Sequence, residues 1–167
     1  MKYYSQPQTG QDKIVLEILE NKKDGYFIDI GCHDAFSISN TATMETELGW
    51  KGLGFDLKIN ESWTQRPNTK TYEADILTLN LEKIFAEEGV PEVVDFLNVD
   101  LEPWQPTFEA FKMIPHDKYK FRTIAFEHDG YRSGMGWVSM TNNYITSLGY
   151  KFHSMLNNQD NIYVLED

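Results

Sequence analysis

One stretch of the chain decides the fold: Phe27-Ile28-Asp29-Ile30-Gly31-Cys32-His33-Asp34-Ala35-Phe36. Its first half has the apolar, β-branched character of a buried strand, and its second half is a polar turn with one glycine. A helical pattern follows over about residues 37–48, so the stretch predicts a strand, a tight turn and a helix in direct succession. In an open α/β sheet this arrangement forms a ligand site, because glycine lets a ligand approach the backbone and free helix N–H groups point toward the ligand.

The turn after this strand lacks the pattern that binds dinucleotides. A pyrophosphate-binding turn needs G-x-G-x-x-G, whereas Gly31 is followed by polar and acidic residues. Acidic side chains repel a pyrophosphate and suit a ligand that carries cationic groups and hydroxyls. S-adenosylmethionine (SAM), with its sulfonium, its ammonium and its ribose, is such a ligand.

Composition indicates one globular domain over residues 1–167, in which 1–24 form an N-terminal helical segment. The chain is 41% hydrophobic and 14% aromatic, which is typical of a folded domain. Its net charge of −11 disfavours a nucleic-acid partner. Cys32 is the only cysteine, which excludes an intrachain disulfide and is consistent with a reducing, cytoplasmic location. We expect neither a membrane span nor a signal peptide.

The order of apolar runs and amphipathic segments predicts a mainly parallel sheet with helices on both faces. The predicted strands cover residues 26–31, 52–57, 70–75, 93–100, 122–128, 150–156 and 161–165. The predicted helices lie near residues 11–22, 37–48, 78–88, 104–113 and 138–148.

The last two strands give the strongest information on topology. Only Asn157-Asn158-Gln159-Asp160 separates them, and a parallel crossover needs about a dozen residues or more, so this pair must be an antiparallel hairpin. A parallel sheet that ends in one reversed strand matches the seven-stranded sheet of SAM-dependent methyltransferases, with the order 3-2-1-4-5-7-6 and strand 7 antiparallel.

Several segments, in their order and spacing, resemble the FkbM family of SAM-dependent methyltransferases over nearly the whole chain. The matching segments are Tyr4-Ser5-Gln6 with Gly10-Gln11-Asp12-Lys13, the strand that ends at Gly31, Ser39-Asn40-Thr41 with the segment up to Gly52, residues 95–102, residues 117–121, and Phe126-Glu127-His128-Asp129. Three positions depart from the family pattern: Ala35 and Pro103 replace glycines, and Asp56-Leu57 replaces glutamate-proline. The resemblance implies O-methylation, often of sugars or other hydroxylated natural products.

The candidate cofactor residues lie at the ends of the predicted strands. Asp56, at the end of strand 2, is placed to accept hydrogen bonds from ribose hydroxyls. Asp29 or Asp34 would meet the methionyl ammonium, directly or through water, and Asp75 would meet the adenine amine. The full set of candidate cofactor residues is Asp29, Gly31, Cys32, His33, Asp34, Asp56, Leu57, Asp75, Ile76 and Asp100.

The candidate catalytic residues are His128, Glu102 and Asp100. His128 ends strand 5 and has an ordinary pKa near neutrality, which suits a general base, and Glu102 would take that role if His128 did not. Glu127 and His128 alternate, so at most one of them faces the ligand. We expect no metal, because Asp100 and Glu102 alone are a poor metal site. The glycine- and aromatic-containing loop at 129–137 is a candidate lid over the acceptor.

These observations predict a SAM-dependent methyltransferase that acts on a hydroxyl of a sugar or other small acceptor. A SAM-binding module without activity is one alternative, and a nicotinamide oxidoreductase is another, although the missing second glycine and the terminal hairpin count against the second. A local basic patch formed by Lys112, Lys118, Lys120 and Arg122 keeps a nucleic-acid acceptor among the alternatives. The acceptor and the oligomeric state cannot be read from the sequence.

Overall fold

The computed structural model describes residues 1–5 and 10–166; Gln6 of the predicted entry motif lies outside the described residues. The strands are β1 Tyr26–Ile30, β2 Lys51–Asp56, β3 Thr69–Glu73, β4 Val93–Val99, β5 Lys120–Glu127, β6 Tyr150–Leu156 and β7 Asp160–Leu165. The α-helices are α1 Gln11–Ile18, α2 Ala42–Leu48, α3 Leu81–Glu87, α4 Gln105–Met113, α5 Gly130–Ser133 and α6 Met135–Ser147. Short 3₁₀ helices cover Glu61–Gln65 and Ile76–Thr78.

All seven strands form one sheet in the order β3-β2-β1-β4-β5-β7-β6, which confirms the predicted order. The pairs from β3 to β5 are parallel, and β7 runs antiparallel to both β5 and β6. The short connection between β6 and β7 is therefore a hairpin, as its length requires. Strands β1 and β4 are neighbours in the middle of the sheet, so the chain reverses its direction of winding there.

The two faces of the sheet carry separate apolar cores, because neighbouring strand residues point to opposite sides. On one face Phe27 and Phe96 pack against Val15 of α1 and Met44 of α2. On the other face the next residues of the same strands, including Ile28, pack in a larger core. That second core contains Phe85 of α3, Phe108 and Phe111 of α4, and Ile145 of α6. Helices thus cover both faces, as predicted.

The helix after β1 begins later than the sequence predicts. Ile38 has a φ of 53°, which is outside the helical region, and α2 begins only at Ala42. The Ser39 hydroxyl accepts hydrogen bonds from the N–H groups of Thr41 and Ala42, at 3.4 and 3.1 Å. These bonds occupy two N–H groups at the start of α2, so fewer free helix N–H groups can face a ligand at Gly31 than the sequence predicts.

The segment at 129–137, which the sequence predicts as an open loop, is largely helical. It contains α5 and the first residues of α6. Tyr131 and Met135 are exposed on this segment. Across the described part of the chain, no helix combines the length and the apolar character needed to cross a membrane.

Candidate functional site

A cavity of about 380 Å³ opens at the carboxyl ends of the central strands. Open α/β sheets bind ligands at this edge, where the strand order reverses. The cavity is lined by Asp29, Gly31, Cys32, His33, Asp34, Ser37, Ile38, Ser39, Asn40, Asp56, Leu57, Asn98, Asp100, Leu101, Glu102 and Glu127. A second cleft of about 260 Å³ shares Asp56, Leu57, Leu101 and Glu102 with the cavity and is lined mainly by apolar residues, including Phe55, Ile76, Leu77 and Pro106. The polar cavity and the apolar cleft therefore meet at the end of β2.

Gly31 is required by the backbone of the neighbouring strand end. Its φ is +84°, and a Cβ at this position would lie 1.7 Å from the carbonyl oxygen of Asp100. No side chain fits at that distance, so glycine allows the ends of β1 and β4 to come together. The residue also lines the cavity, but the close approach in the structure is between two strands of the protein.

Asp56 is held at the junction between the cavity and the cleft. Its carboxylate accepts hydrogen bonds from the backbone N–H of His33, at 2.8 Å, and from that of Lys58, at 3.3 Å. These bonds orient the carboxylate and leave lone pairs free for further donors. The exposed His33 contributes backbone here: its N–H binds Asp56, and its carbonyl accepts a bond from the Trp63 indole.

Asp29 lies beneath the cavity rather than free within it. Its carboxylate accepts hydrogen bonds from the Thr41 hydroxyl at 2.7 Å and from the Asn98 side chain at 2.9 Å. Burial raises its pKa, and these bonds and the nearby Arg66 lower it in part. Both Asp29 oxygens have partners within the protein, and the residue lines the cavity, so its contact with the ammonium, directly or through water, stays a prediction.

Asp34 ties the turn after β1 to the 3₁₀ helix at Glu61–Gln65. One oxygen accepts from the N–H groups of Phe36 and Ser37, and the other accepts from Asn60 and Ser62. The backbone bonds are the largest cause that lowers its pKa to about 2. Asp34 lines the cavity, and its hydrogen bonds stabilise the turn.

Cys32 and Ala35 pack together against Trp63 below the same turn. Burial raises the pKa of the Cys32 thiol well above its ordinary value, so this thiol is not activated. Ala35 is absent from the positive-φ positions of the described chain, while His33 at 41° and Ile38 at 53° have positive φ in this segment. The alanine at this departure from the family pattern therefore adds no backbone strain.

Leu57, Asp75 and Ile76 lie around the apolar cleft. Leu57 is exposed and lines both the cavity and the cleft. One Asp75 oxygen accepts a hydrogen bond from the N–H of Leu77 at 3.0 Å and caps the short helix at Ile76–Thr78. Pro103, another departure from the family pattern, lines the same cleft.

Four carboxylates meet at the ends of β4 and β5. Asp100 and Glu127 are hydrogen-bonded to each other, and burial is the first cause that raises the pKa of both groups. Ligand atoms of Glu102, Glu127 and Asp129 lie within 4.8 Å of one another. Arg132 is the cation that pairs with two of these residues, at 2.9 Å from Asp129 and 3.4 Å from Glu102. Of these four residues, the sequence predicts only Asp100 and Glu102 as site residues.

His128 does not reach the cavity. Its side chain is fully buried; Nδ1 accepts a hydrogen bond from the Gly130 N–H at 2.9 Å, and Nε2 lies 3.2 Å from the Asn161 amide oxygen. The ring is thus the neutral tautomer with its proton on Nε2, and burial lowers its pKa. With both nitrogens engaged inside the protein, His128 is not in position to take a proton from an acceptor, and the cavity is faced by Glu127 instead.

Arg66, Asn98 and Glu127 are site residues that the sequence reasoning missed. Arg66 is buried, pairs with Glu45 at 2.8 Å and donates to the Ser39 and Thr41 hydroxyls on the segment that lines the cavity. No local pattern marks Arg66, because its partners are distant in sequence. The alternation of Glu127 and His128 predicts that at most one of them faces the cavity, but it does not determine which one.

The comparisons with protein-family models and with curated proteins found no match. Among solved structures, the chain is similar to the METTL16 methyltransferase domain, with 16% identity and a TM-score of 0.63 over 95% of this chain and 67% of that one. It is similar to MycE methyltransferase of the mycinamycin biosynthetic pathway, solved with Mg and S-adenosylhomocysteine (SAH), with 9% identity and a TM-score of 0.62 over 92% of this chain and 49% of that one. A putative rRNA methylase from Clostridium thermocellum has 12% identity and a TM-score of 0.61 over 100% of this chain and 98% of that one.

The chain spans about two thirds of the METTL16 domain and about half of MycE. At sequence identities of 16%, 9% and 12%, these structural similarities support a conclusion about the fold alone. The seven-stranded order, the reversed strand and the three structural similarities agree, and the chain has the fold of the Rossmann-like methyltransferases.

Proposed function

We propose that this chain is a SAM-dependent methyltransferase. The observation that carries the proposal is Asp56, which two backbone N–H groups hold at the meeting point of a polar cavity and an apolar cleft. A nucleoside with a charged tail needs these three environments side by side: an apolar slot for the base, an acceptor for the ribose hydroxyls and a polar cavity for the tail. Asp56 accepts the ribose hydroxyls, the cleft takes adenine and the cavity takes the methionyl group.

The acidic lining of the cavity supports SAM over a dinucleotide. Asp100, Glu102 and Glu127 all face the cavity, where a pyrophosphate would be repelled and a sulfonium and an ammonium would be attracted. The turn after β1 has a single glycine at Gly31 and no second or third glycine for a pyrophosphate. This charge pattern argues against the nicotinamide alternative.

The reaction that fits this cavity is methyl transfer from the sulfonium to an oxygen of the acceptor. The carbon–sulfur bond breaks as the carbon–oxygen bond forms, SAH leaves, and the hydroxyl proton passes to a base. SAM carries its own leaving group, so alignment is the main requirement. His128 is held away from the cavity, and Glu102, the alternative base that the sequence predicts, is exposed and pairs with Arg132. We therefore assign the proton to Asp100, which lines the cavity at the end of β4.

We further propose a sugar or another small hydroxylated molecule as the acceptor, as the FkbM resemblance implies. The basic patch that would serve a nucleic acid is largely neutralised: Lys112, Lys118 and Arg122 pair with Glu109, Glu82 and Asp95. Lys120 and Arg122 also lie at the amino end of β5, at the sheet edge opposite the cavity. METTL16 and the rRNA methylase share the fold, and the charge of this chain favours a different acceptor.

Calorimetry with SAM and SAH tests the cofactor assignment. We expect Asp56→Ala to weaken binding of both by about 1–3 kcal/mol, or about 5- to 150-fold, because ribose hydroxyls lose a charged acceptor. Asp117→Ala is the matched control, since Asp117 is exposed in the turn before β5 and lies away from the cavity. Equal affinity of parent and Asp56→Ala would refute the ribose assignment. Tight SAM binding without labelled-methyl transfer to any sugar or glycolipid would favour the alternative of a binding module without activity.

A further inference from the structure

The carboxylates at the ends of β4 and β5 form a compact group of oxygen atoms. Glu102, Glu127 and Asp129 each present an oxygen within 4.8 Å of the oxygens of the other two. Glu127 ends β5 and Asp129 follows it by two residues, while Glu102 lies three residues after the end of β4, the neighbouring strand. In the part of the chain that the structure describes, this is the one group of three such side chains close enough to share an ion.

Two of these side chains are buried, and one of them has an oxygen without a partner. Glu127 is 7% exposed and is bonded to Asp100, whereas Asp129 is 1% exposed and its Oδ1 has no hydrogen-bond partner. A buried carboxylate oxygen without a partner is costly, so such atoms point to a ligand that the protein is shaped to receive. Glu127 lines the cavity, which gives an ion a route from solvent.

The single cation already present does not balance these charges. Arg132 contacts Asp129 Oδ2 at 2.9 Å and Glu102 at 3.4 Å, and its side chain is 43% exposed. It leaves Asp129 Oδ1 unpaired. Because Arg132 is at the surface, it can keep its contact with Asp129 Oδ2 while the other oxygen binds an ion.

We propose that Glu102, Glu127 and Asp129 bind a divalent metal cation beside the cavity. The ligand set contains only carboxylate oxygens, which favours hard ions such as Ca²⁺, Mg²⁺ or Mn²⁺ over zinc or copper. Oxygens bound to one Ca²⁺ at 2.3–2.6 Å can be as much as about 5 Å apart, whereas Mg²⁺ at 2.0–2.1 Å requires separations below about 4.2 Å. Three protein oxygens also leave coordination positions for water or a ligand oxygen.

This site departs from the expectation of no metal, which rested on Asp100 and Glu102 alone. Its role rests on the proposed function: an ion here lies next to Asp100 and offers an open position to the acceptor hydroxyl. Binding of the ion itself does not depend on methyl transfer and can be measured on the protein alone.

Calorimetry with CaCl₂ and then MgCl₂ on the full chain, stripped of metal by a chelator, tests the proposal. We expect binding of one ion, and at least about tenfold weaker binding in Glu127→Gln and in Glu102→Gln, because ligand charge sets affinity in oxygen sites. Glu88→Gln is the matched control: it removes one charge from a residue beside Tyr26 and Lys51, at the amino ends of β1 and β2. The control is needed because a chain of net charge −11 attracts cations diffusely.

Thermal unfolding distinguishes a variant that has lost only the metal site from a variant that no longer folds. Without metal, Glu127→Gln should unfold near the temperature of the parent, since the amide of glutamine keeps a hydrogen-bond donor for Asp100. Added Ca²⁺ should raise the unfolding temperature of the parent and of Glu88→Gln, and not that of Glu127→Gln. Glu102 is exposed, so its substitution leaves the core intact and serves if Glu127→Gln fails to fold. Weak binding of several ions, equally reduced in all three variants, would overturn the proposal. SAM binding is measured separately, so loss of one proposal leaves the other testable.

Discussion

Arg66→Met should strongly destabilise the protein, because it leaves Glu45 as a buried charge without its cation. Arg66 is 1% exposed, and its Nε lies 2.8 Å from Glu45, whose side chain is 3% exposed. Its other nitrogens donate to Ala35 O at 3.0 Å, Ser39 Oγ at 3.2 Å and Thr41 Oγ1 at 3.1 Å. Breaking a buried pair from one side costs about 3–5 kcal/mol. For a domain of this size that corresponds to a fall in unfolding temperature of about 6–20 °C.

Urea unfolding followed by tryptophan fluorescence measures this loss. The matched control is Arg122→Met, the same change in a pair whose arginine is 55% exposed and lies 3.3 Å from Asp95; its cost should stay below about 1 kcal/mol. Adding Glu45→Gln to Arg66→Met should restore about 1 kcal/mol or more, because the stranded charge is removed. A loss below 1 kcal/mol for Arg66→Met, or a double variant less stable than Arg66→Met, would refute the reasoning.

Two further predictions concern the reaction and the loss of folding stability at low pH. Asp100→Asn should lower turnover by about 10²- to 10⁴-fold if Asp100 takes the acceptor proton; unchanged turnover in a labelled-methyl assay would remove Asp100 from that role. Asp34 has its pKa lowered to about 2 from an ordinary 3.8 by backbone hydrogen bonds, so its contribution to stability is complete above about pH 4 and disappears as the pH falls toward 2. The difference in unfolding temperature between the parent and Asp34→Asn should therefore be constant above pH 5 and shrink between pH 4 and 2, and a difference as large at pH 2.5 as at pH 5 would contradict this assignment.

The topology could be predicted because it depends on local features. The glycine after β1 and the four residues between the last two strands each fix a geometry over a short distance, and the fold follows from their order. The boundaries were less predictable where side chains decide them. The Ser39 hydroxyl accepts from two N–H groups at the start of α2 and Ile38 adopts a positive φ, so a helical pattern that extends to residue 37 produces a helix only from Ala42.

The site could be predicted only at the level of strand ends. Gly31, Asp56 and Asp100 come together because parallel strands end at the same edge. The partner of each side chain depends on the tertiary structure: Asp29 is occupied by Thr41 and Asn98, and His128 by Gly130 and Asn161. Strand β5 is buried along almost its whole length, so no polar and apolar alternation could show whether Glu127 or His128 faces the cavity.

The strand order also arranges the proposed chemistry along the sheet edge. Because β2, β1, β4 and β5 are adjacent in that order, Asp56, Gly31, Asp100 and Glu127 follow one another from one side of the cavity to the other. In the proposed arrangement the nucleoside lies at the β2 end and the cation at the β5 end, which places the methyl group and the acceptor oxygen near β4. Asp100 is the carboxylate that ends this strand, and it is bonded to Glu127 of the proposed cation site. A change at Asp100 should therefore affect the transfer step, whereas changes at Asp56 and Glu127 should affect the binding of one partner each.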